Sequence, residues 1–163
     1  MKKSHAAVWS FIFLLSGPGT GLGVVPWAIS GWKFQPVPFE IRAAGVVLIG
    51  LGLIPVLESV ARFALKGLGT LAPFAPPQHL VVSGFYRHVR NPMFVGFVAI
   101  LLGQAYLFGD PWLLAYAALV WLVTHLVVVL HEEPSLRGKF GAEYDTFRQH
   151  VPRWIPRLRP WKG

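Results

Sequence analysis

Polar positions along this chain are few and bunched, and long apolar runs separate them. A bilayer-spanning helix needs about 20 predominantly apolar residues. Four stretches meet or approach that length: residues 6–29, 39–61, 92–108 and 111–131. The first opens like a signal sequence, "MKKSHAAVWSFIFLL", but stays apolar after Gly21 without a clean small-residue cleavage site. It reads as a retained helix, broken or closely packed around Gly17, Pro18, Gly19, Gly21 and Gly23. Pro55 predicts a kink in the second span. Only Gly109 and Asp110 separate the last two, which predicts a tight antiparallel helical hairpin. After Pro134, the residues Leu136, Phe140, Tyr144, Phe147 and Val151 fall at helical spacing, predicting one amphipathic helix from Ser135 to Val151 that caps the bundle or lies on the membrane surface. The expected fold is an all-α integral membrane protein of one domain, residues 1–163, with a loop at 62–91 and a tail at 132–163.

The charged positions orient these spans. Lys2 and Lys3 precede the first, Arg62, Lys66, Arg87 and Arg90 sit around the long loop, and seven of the fifteen basic residues follow His131. The opposite connections carry only Lys33, Arg42 and Asp110. The positive-inside rule therefore places both termini and the 62–91 loop in the cytoplasm, with the cytoplasmic membrane as the expected location and its lipids as partners. Composition agrees: 54% of residues are hydrophobic and 13% charged, about half the charge of a typical soluble domain. The net charge of +8 would attract nucleic acid, but no recognition helix or RNA-binding module accompanies it, so no nucleic-acid partner is expected. Cysteine is absent, which excludes a thiolate nucleophile and a zinc–thiolate site, and the six histidines form no one-turn cluster, so no metal is expected.

Two polar clusters remain for chemistry. "HVRNPMFVG" opens the third span, where Asn91 predicts a cap and Pro92 suits the first helical turn. Arg87, His88 and Arg90 crowd that positive helix end and suit a carboxylate or phosphate, and Gly96 leaves room for a flat group or a second helix. "HEEPSL" closes the fourth span. Glu132 and Glu133 are adjacent, so they point about 100° apart on a helix. One faces the bundle and the other the surface or a basic neighbour; the inward carboxylate suits an ammonium group or a pairing with Arg90 or Arg87. Pro134 predicts a turn of the chain here. Gly45, Gly50 and Gly52 suit helix packing within one chain or between two. His125, polar inside the fourth span, suits a hydrogen bond between elements.

Taken together, "GFYRHVRNPMFVG" (84–96), the two-residue hairpin and "EEPSLRGKFGAEYDTFRQHVPRWIP" (132–156) resemble the isoprenylcysteine carboxyl methyltransferase and phospholipid methyltransferase superfamily of small membrane enzymes. The resemblance implies S-adenosylmethionine as methyl donor and a lipophilic or membrane-embedded acceptor. By position it carries the donor site onto Arg90, Asn91, Pro92, Phe94 and Gly96, with Glu132 and Glu133; Arg90 and Glu132 are the expected catalytic contacts. Asn91 and Phe94 stand where His and Tyr are frequent, so a site of backbone groups and charge fits better than side-chain proton chemistry. A tail helix would then close over the donor. Two other readings compete. Sterol reductases that use NADPH share an Arg-x-Pro-x-aromatic stretch, but the Glu-Glu-x-x-Leu signature and small size argue against them. A small transporter or scaffold would need a charge midway through a span, and Glu58, toward one end of the second, is the nearest candidate.

Overall fold

The computed structural model describes residues 15–66 and 79–162. All regular structure among them is helical. A widened π-type run, Leu15–Val24, leads into α1, Val25–Ser30. Then follow α2, Phe39–Lys66, a 3₁₀ turn, Gly84–Arg87, and α3, Pro92–Phe108. α4, Pro111–Val127, passes through a π turn, Val128–Glu132, into α5, Glu133–Phe140, and α6 is Ala142–His150.

The expected first span lies partly outside the described residues. Its described part is helical, and the glycines widen the helix rather than end it. Carbonyls in that wide run take side-chain donors: Gln104 Nε2 donates to Leu22 O at 2.8 Å, and Tyr116 Oη donates to Gly21 O at 2.9 Å.

α2 and α3 pack antiparallel through two pairs of glycines, two turns apart on each helix. A Cβ on Gly52 would stand 2.6 Å from Gly96 O, and one on Gly96 would stand 2.5 Å from Gly52 O. Gly45 and Gly103 repeat the arrangement at 2.6 and 2.7 Å. Backbone therefore touches backbone, the way helices associate where lipid removes the hydrophobic drive between them. Gly45 and Gly52 pack within the chain, whereas Gly50 meets nothing within 4 Å. α2 runs past the expected end at residue 61 to Lys66 and continues through Pro55 as one helix, so the loop begins later than the apolar run suggested.

The hairpin forms at the expected two residues. Gly109 ends α3 in the left-handed region, φ 71°, and Asp110 caps α4 by accepting from Trp112 N–H at 2.9 Å. The chain after α4 differs from expectation in two places. Pro134 does not turn the chain. Proline lacks an N–H and crowds the carbonyl four residues back. The π turn resolves this by shifting the bonding one residue further, Glu133 N–H to Val128 O, and Pro134 then occupies the first turn of α5. The expected tail helix is two helices, because Gly141 (φ 52°, ψ −123°) breaks it. Its apolar stripe still gathers on one side: Tyr144, Phe147 and Val151 are buried, with Leu136, Phe140, Leu80, Val82 and Trp161 against them.

Among the described residues, two helical stretches are long and apolar enough to cross a membrane, Phe39–Arg62 and Pro111–Phe140. Only 22% and 17% of their most apolar windows are buried inside the protein, unlike the core helices of a soluble domain. Val46, Val47, Leu51, Ile54 and Leu57 on α2 and Leu119, Leu122, Val123, Leu126 and Val127 on α4 face outward. These faces are the mark of a membrane-associated protein. α3 is apolar but shorter and sits between them.

Substituting Gly52 with Val puts carbon where the Gly96 carbonyl now stands. Overpacking of this kind costs about 1–3 kcal/mol. Thermal melting in detergent is expected to show a clear loss for Gly52→Val and none for Gly50→Ala; equal melting of the two would contradict the glycine contact.

Candidate active site

Three chain segments meet at Glu133. Arg90, just ahead of α3, donates through Nη1 to Glu133 Oε1 at 2.9 Å. Arg153, beyond α6, grips the same carboxylate with both arms of its guanidinium, Nε to Oε1 at 2.6 Å and Nη2 to Oε2 at 3.0 Å. The forked geometry is the strong form of this pair. Arg90 and Glu133 retain only 11% and 13% side-chain exposure, so the charges are largely out of water and each depends on its partners. The Arg153 guanidinium is raised above its usual range by its bond to Glu133. Tyr144 Oη, on α6, lies 3.3 Å from Arg90 Nη1. Burial raises the Tyr144 phenol, and Glu133 adds to the effect, so this hydroxyl stays neutral.

The same segments are joined by backbone. Arg90 N–H donates to Pro152 O at 2.9 Å, Arg157 N–H to His88 O at 3.0 Å and Trp161 N–H to Arg87 O at 2.9 Å. The C-terminal residues thus lie along 87–91 as a strap. Trp154 anchors it to α4, donating from Nε1 to His125 Nδ1 at 3.0 Å beside Trp121. His125 therefore holds an element against the bundle.

The strap decides where the sequence-predicted residues go. Arg87 Nε donates to Trp161 O, and the His88 ring bonds the Arg157 carbonyl through Nδ1 at 2.8 Å, so both serve the strap rather than the Glu133 cluster. Asn91 does not cap α3 with its side chain; Nδ2 donates to Arg153 O at 3.2 Å, fixing the backbone that aims Arg153. A cap would use the side-chain oxygen as acceptor for a helix N–H; this bond instead uses the NH2 group as donor to the strap. Pro92 is buried in the first turn of α3. Phe94 packs edge-on against Phe97, and Gly96 is used up by the contact with Gly52. Arg90 and Glu133 are the predicted residues that bond to each other; Glu132 is the neighbour of Glu133 in sequence.

Glu132 differs from its neighbour. It is half-buried, and among the described residues no hydrogen bond or ion pair reaches its carboxylate. Arg90 Nε, behind the bond to Glu133, is likewise buried with no partner. An unmet buried polar atom is costly and rare in a folded protein.

The end of α2 forms the third wall. Glu58 pairs with Arg62, and Glu58 Oε2 also accepts from Phe85 N–H at 3.2 Å, while Arg62 Nη1 donates to Ser83 Oγ at 2.9 Å. These bonds pin the 3₁₀ turn to α2. Gly84 (φ +57°) lies so close that a Cβ there would collide with Glu58 and Arg62. Glu58, the charge that a transport reading would need, is thereby engaged in structure. The turn places the Tyr86 hydroxyl beside Ser59 and within reach of the Glu132 field; burial, chiefly, pushes its phenol up to about 12.

Arg153, Tyr144, Tyr86 and Ser59 were not among the sequence candidates. Arg153 and Tyr86 sit inside the quoted motifs, but only the strap and the 3₁₀ turn show where they point. Tyr144 read as a member of the apolar stripe, and Ser59 as an ordinary helix position.

Fold and cluster together define a class: a small helical protein with lipid-suited faces and a charged site built where one helix of a hairpin starts and the other ends. The chain belongs to the phospholipid methyltransferase family, whose model matches residues 41–143. Among curated proteins it is similar to methanethiol S-methyltransferase 2 of Bradyrhizobium diazoefficiens, 28% identical over 144 residues, 78% of this chain and 54% of that protein. It is also similar to the protein-S-isoprenylcysteine O-methyltransferase of Schizosaccharomyces pombe, 35% identical over 78 residues, 47% of this chain and 33% of that protein. The chain thus spans about half the length of the first relative and a third of the second.

The salt bridges differ in burial, which gives a ranking. The exposed pair Arg137–Asp145, with 58% and 30% side-chain exposure, should contribute about 0–1 kcal/mol. Removing Arg153 leaves Glu133 short of two hydrogen bonds in a partly buried site, where loss of one partner costs more. Melting is expected to fall further for Arg153→Ala than for Arg137→Ala; the opposite order would contradict the assignment of Glu133 as the anchor.

Proposed function

We propose that this protein transfers the methyl group of S-adenosylmethionine to a lipophilic acceptor held in or at the membrane. The observation that carries the reading is the unequal treatment of two adjacent carboxylates. Glu133 is neutralised by two arginines, whereas Glu132 beside it is left open. An open carboxylate beside Glu133, whose partner Arg90 keeps a buried Nε without a bond, suits a ligand with both an ammonium and a carboxylate, which the amino-acid end of this donor has. The donor, when bound, supplies a methyl group activated by a positively charged sulfur. Glu132 holds the ammonium, the unpaired Nε edge of Arg90 faces the carboxylate, and Glu133 and Arg153 keep Arg90 in place.

Such a transfer asks mainly for alignment and exclusion of water. The strap and the stripe of α5 and α6 give the site a cover of Tyr144, Phe147 and Val151. The outward faces of α2 and α4 let an acceptor approach from lipid. Both named relatives are methyltransferases, of methanethiol and of protein S-isoprenylcysteine, which supports the reaction class without fixing this chain's acceptor. We further infer four spans with both termini and the site on the cytoplasmic side, on the strength of the basic residues at 62–91 and after His131.

Titration calorimetry of the detergent-purified protein with S-adenosylmethionine tests the reading. Hydrogen bonds to charged groups contribute about 1.5–3 kcal/mol, so Glu132→Ala and Arg90→Ala are each expected to weaken binding by roughly 10- to 100-fold. An absence of binding by the wild-type chain would sink the proposal. Mass analysis of lipid extracts after incubation with isotopically labelled donor then identifies the acceptor.

A further inference from the structure

The strap that closes the site leaves its own outer edge uncovered. Leu158, at 98% exposure, is the most exposed large apolar side chain among the described residues, and Ile155 stands at 79%. Single exposed apolar residues are ordinary on a surface, but position and charge set these two apart. Trp154, next to Ile155, donates to His125 Nδ1 at 3.0 Å, and its ring lies 6.4 Å from that of Trp121. Both partners are on α4, where Leu122 and Leu126 face outward. His125 precedes His131, where the apolar run gives way to charge, by six residues. At 1.5 Å of rise per residue, the strap is tied roughly 9 Å inside the charged end of α4. The charge is one-sided. No acidic residue follows Asp145 in the sequence, whereas Arg153, Arg157, Arg159 and Lys162 all do. Glu133 neutralises Arg153. Among the described residues no carboxylate pairs with the other three, and the bond from Arg157 Nη1 to His150 O, 2.6 Å, leaves that cation uncompensated.

We propose that residues 155–159 form a seat for anionic phospholipid, with Ile155 and Leu158 entering the interfacial layer and Arg157 and Arg159 meeting headgroup phosphates. Apolar tips set between unpaired guanidinium groups match that layer, where acyl chain and negative charge lie side by side. A zwitterionic surface would take the apolar tips and leave the cations uncompensated. An acidic protein would match the cations, but it would have to sit where the strap lies against the lipid-suited side of α4. The seat rests on the membrane association of α2 and α4, and it is independent of the methyl donor. It bears on the site through the strap, whose backbone bonds Arg87 and His88 and whose Arg153 grips Glu133. Anionic lipid therefore holds the cover of the site more firmly.

The chain has no cysteine, so Leu158→Cys and Ile155→Cys can each carry a single bimane label. Both side chains are exposed and Arg159 bonds nothing, so these variants and Arg159→Gln are expected to melt like wild type in detergent. The full chain is placed in nanodiscs of phosphatidylcholine, with or without phosphatidylglycerol. Quenching is read with acrylamide, which is neutral and stays in water, and with nitroxide-bearing acyl chains. With phosphatidylglycerol, both labels are expected to shift to the blue, lose most of their acrylamide quenching and gain nitroxide quenching. Arg159→Gln or high salt reverses part of that change. Amide exchange at Arg157 and Trp161, whose N–H groups bond the 87–88 carbonyls, slows in the same discs. Labels open to acrylamide in both discs overturn the seat and leave the cations to an acidic protein partner. Equal nitroxide quenching in both discs overturns the preference for anionic lipid. Quenching that depends on phosphatidylglycerol with unchanged amide exchange overturns the hold on the cover. No arm uses the methyl donor, so failure here leaves the methyl-transfer reading untouched.

Discussion

The grip of Arg90 and Arg153 on Glu133 is the constraint on which the rest of this protein depends. It ties together the start of α3, the start of α5 and the segment after α6, three pieces far apart in sequence. Charges this poorly exposed do not favour burial in themselves. They specify which segments meet. Once they meet, Asn91, His88 and Arg87 zip the strap along 87–91, and Trp154 fastens its middle to His125. Glu132 and Glu133 sit at the junction of a π turn and an α-helix, on adjacent positions with ordinary helical dihedrals, so they point about 100° apart.

A second constraint works inside the bundle. Lipid-facing helices cannot rely on water to drive them together, and α2 and α3 meet instead through reciprocal glycines. That close approach sets how deep the end of α2 reaches beside the 3₁₀ turn. Ser59 and Tyr86 come together because Glu58 and Arg62, one turn apart on α2, bind the turn's backbone and Ser83. The polar groups at this end thus divide into those that hold elements together and those left open. Glu58, Arg62, Glu133, Arg153, His88 and Asn91 hold; Glu132 and one edge of Arg90 are open.

Much of the helical layout was legible in the sequence, because apolar run length and the Gly109–Asp110 break are local signals. The bounds of α3 and the hairpin follow from them directly. The local rules failed where distant segments intervene. Pro134 read as a break because proline usually is one, but the π turn just ahead of it, Val128–Glu132, absorbed the missing N–H. Asn91 read as a cap because Asn usually is one, but its side chain donates to the strap carbonyl of Arg153 and accepts from no helix N–H. The single tail helix failed for a local reason that could have been weighed, the glycine at 141. Arg90, Glu132 and Glu133 stood out as charges at the ends of apolar helices. Arg153 did not, because seven basic residues crowd the C-terminal tail and nothing in their spacing marks the one that turns inward.

The central claim is a division of labour between adjacent carboxylates, Glu133 for structure and Glu132 for the ligand. Parallel melting and S-adenosylhomocysteine titration of Glu132→Gln and Glu133→Gln test it most directly. The account predicts that Glu132→Gln melts at or above the wild-type temperature and binds weakly, while Glu133→Gln melts clearly lower. A Glu132→Gln protein that binds like wild type, or a Glu133→Gln protein with unchanged melting, would contradict it.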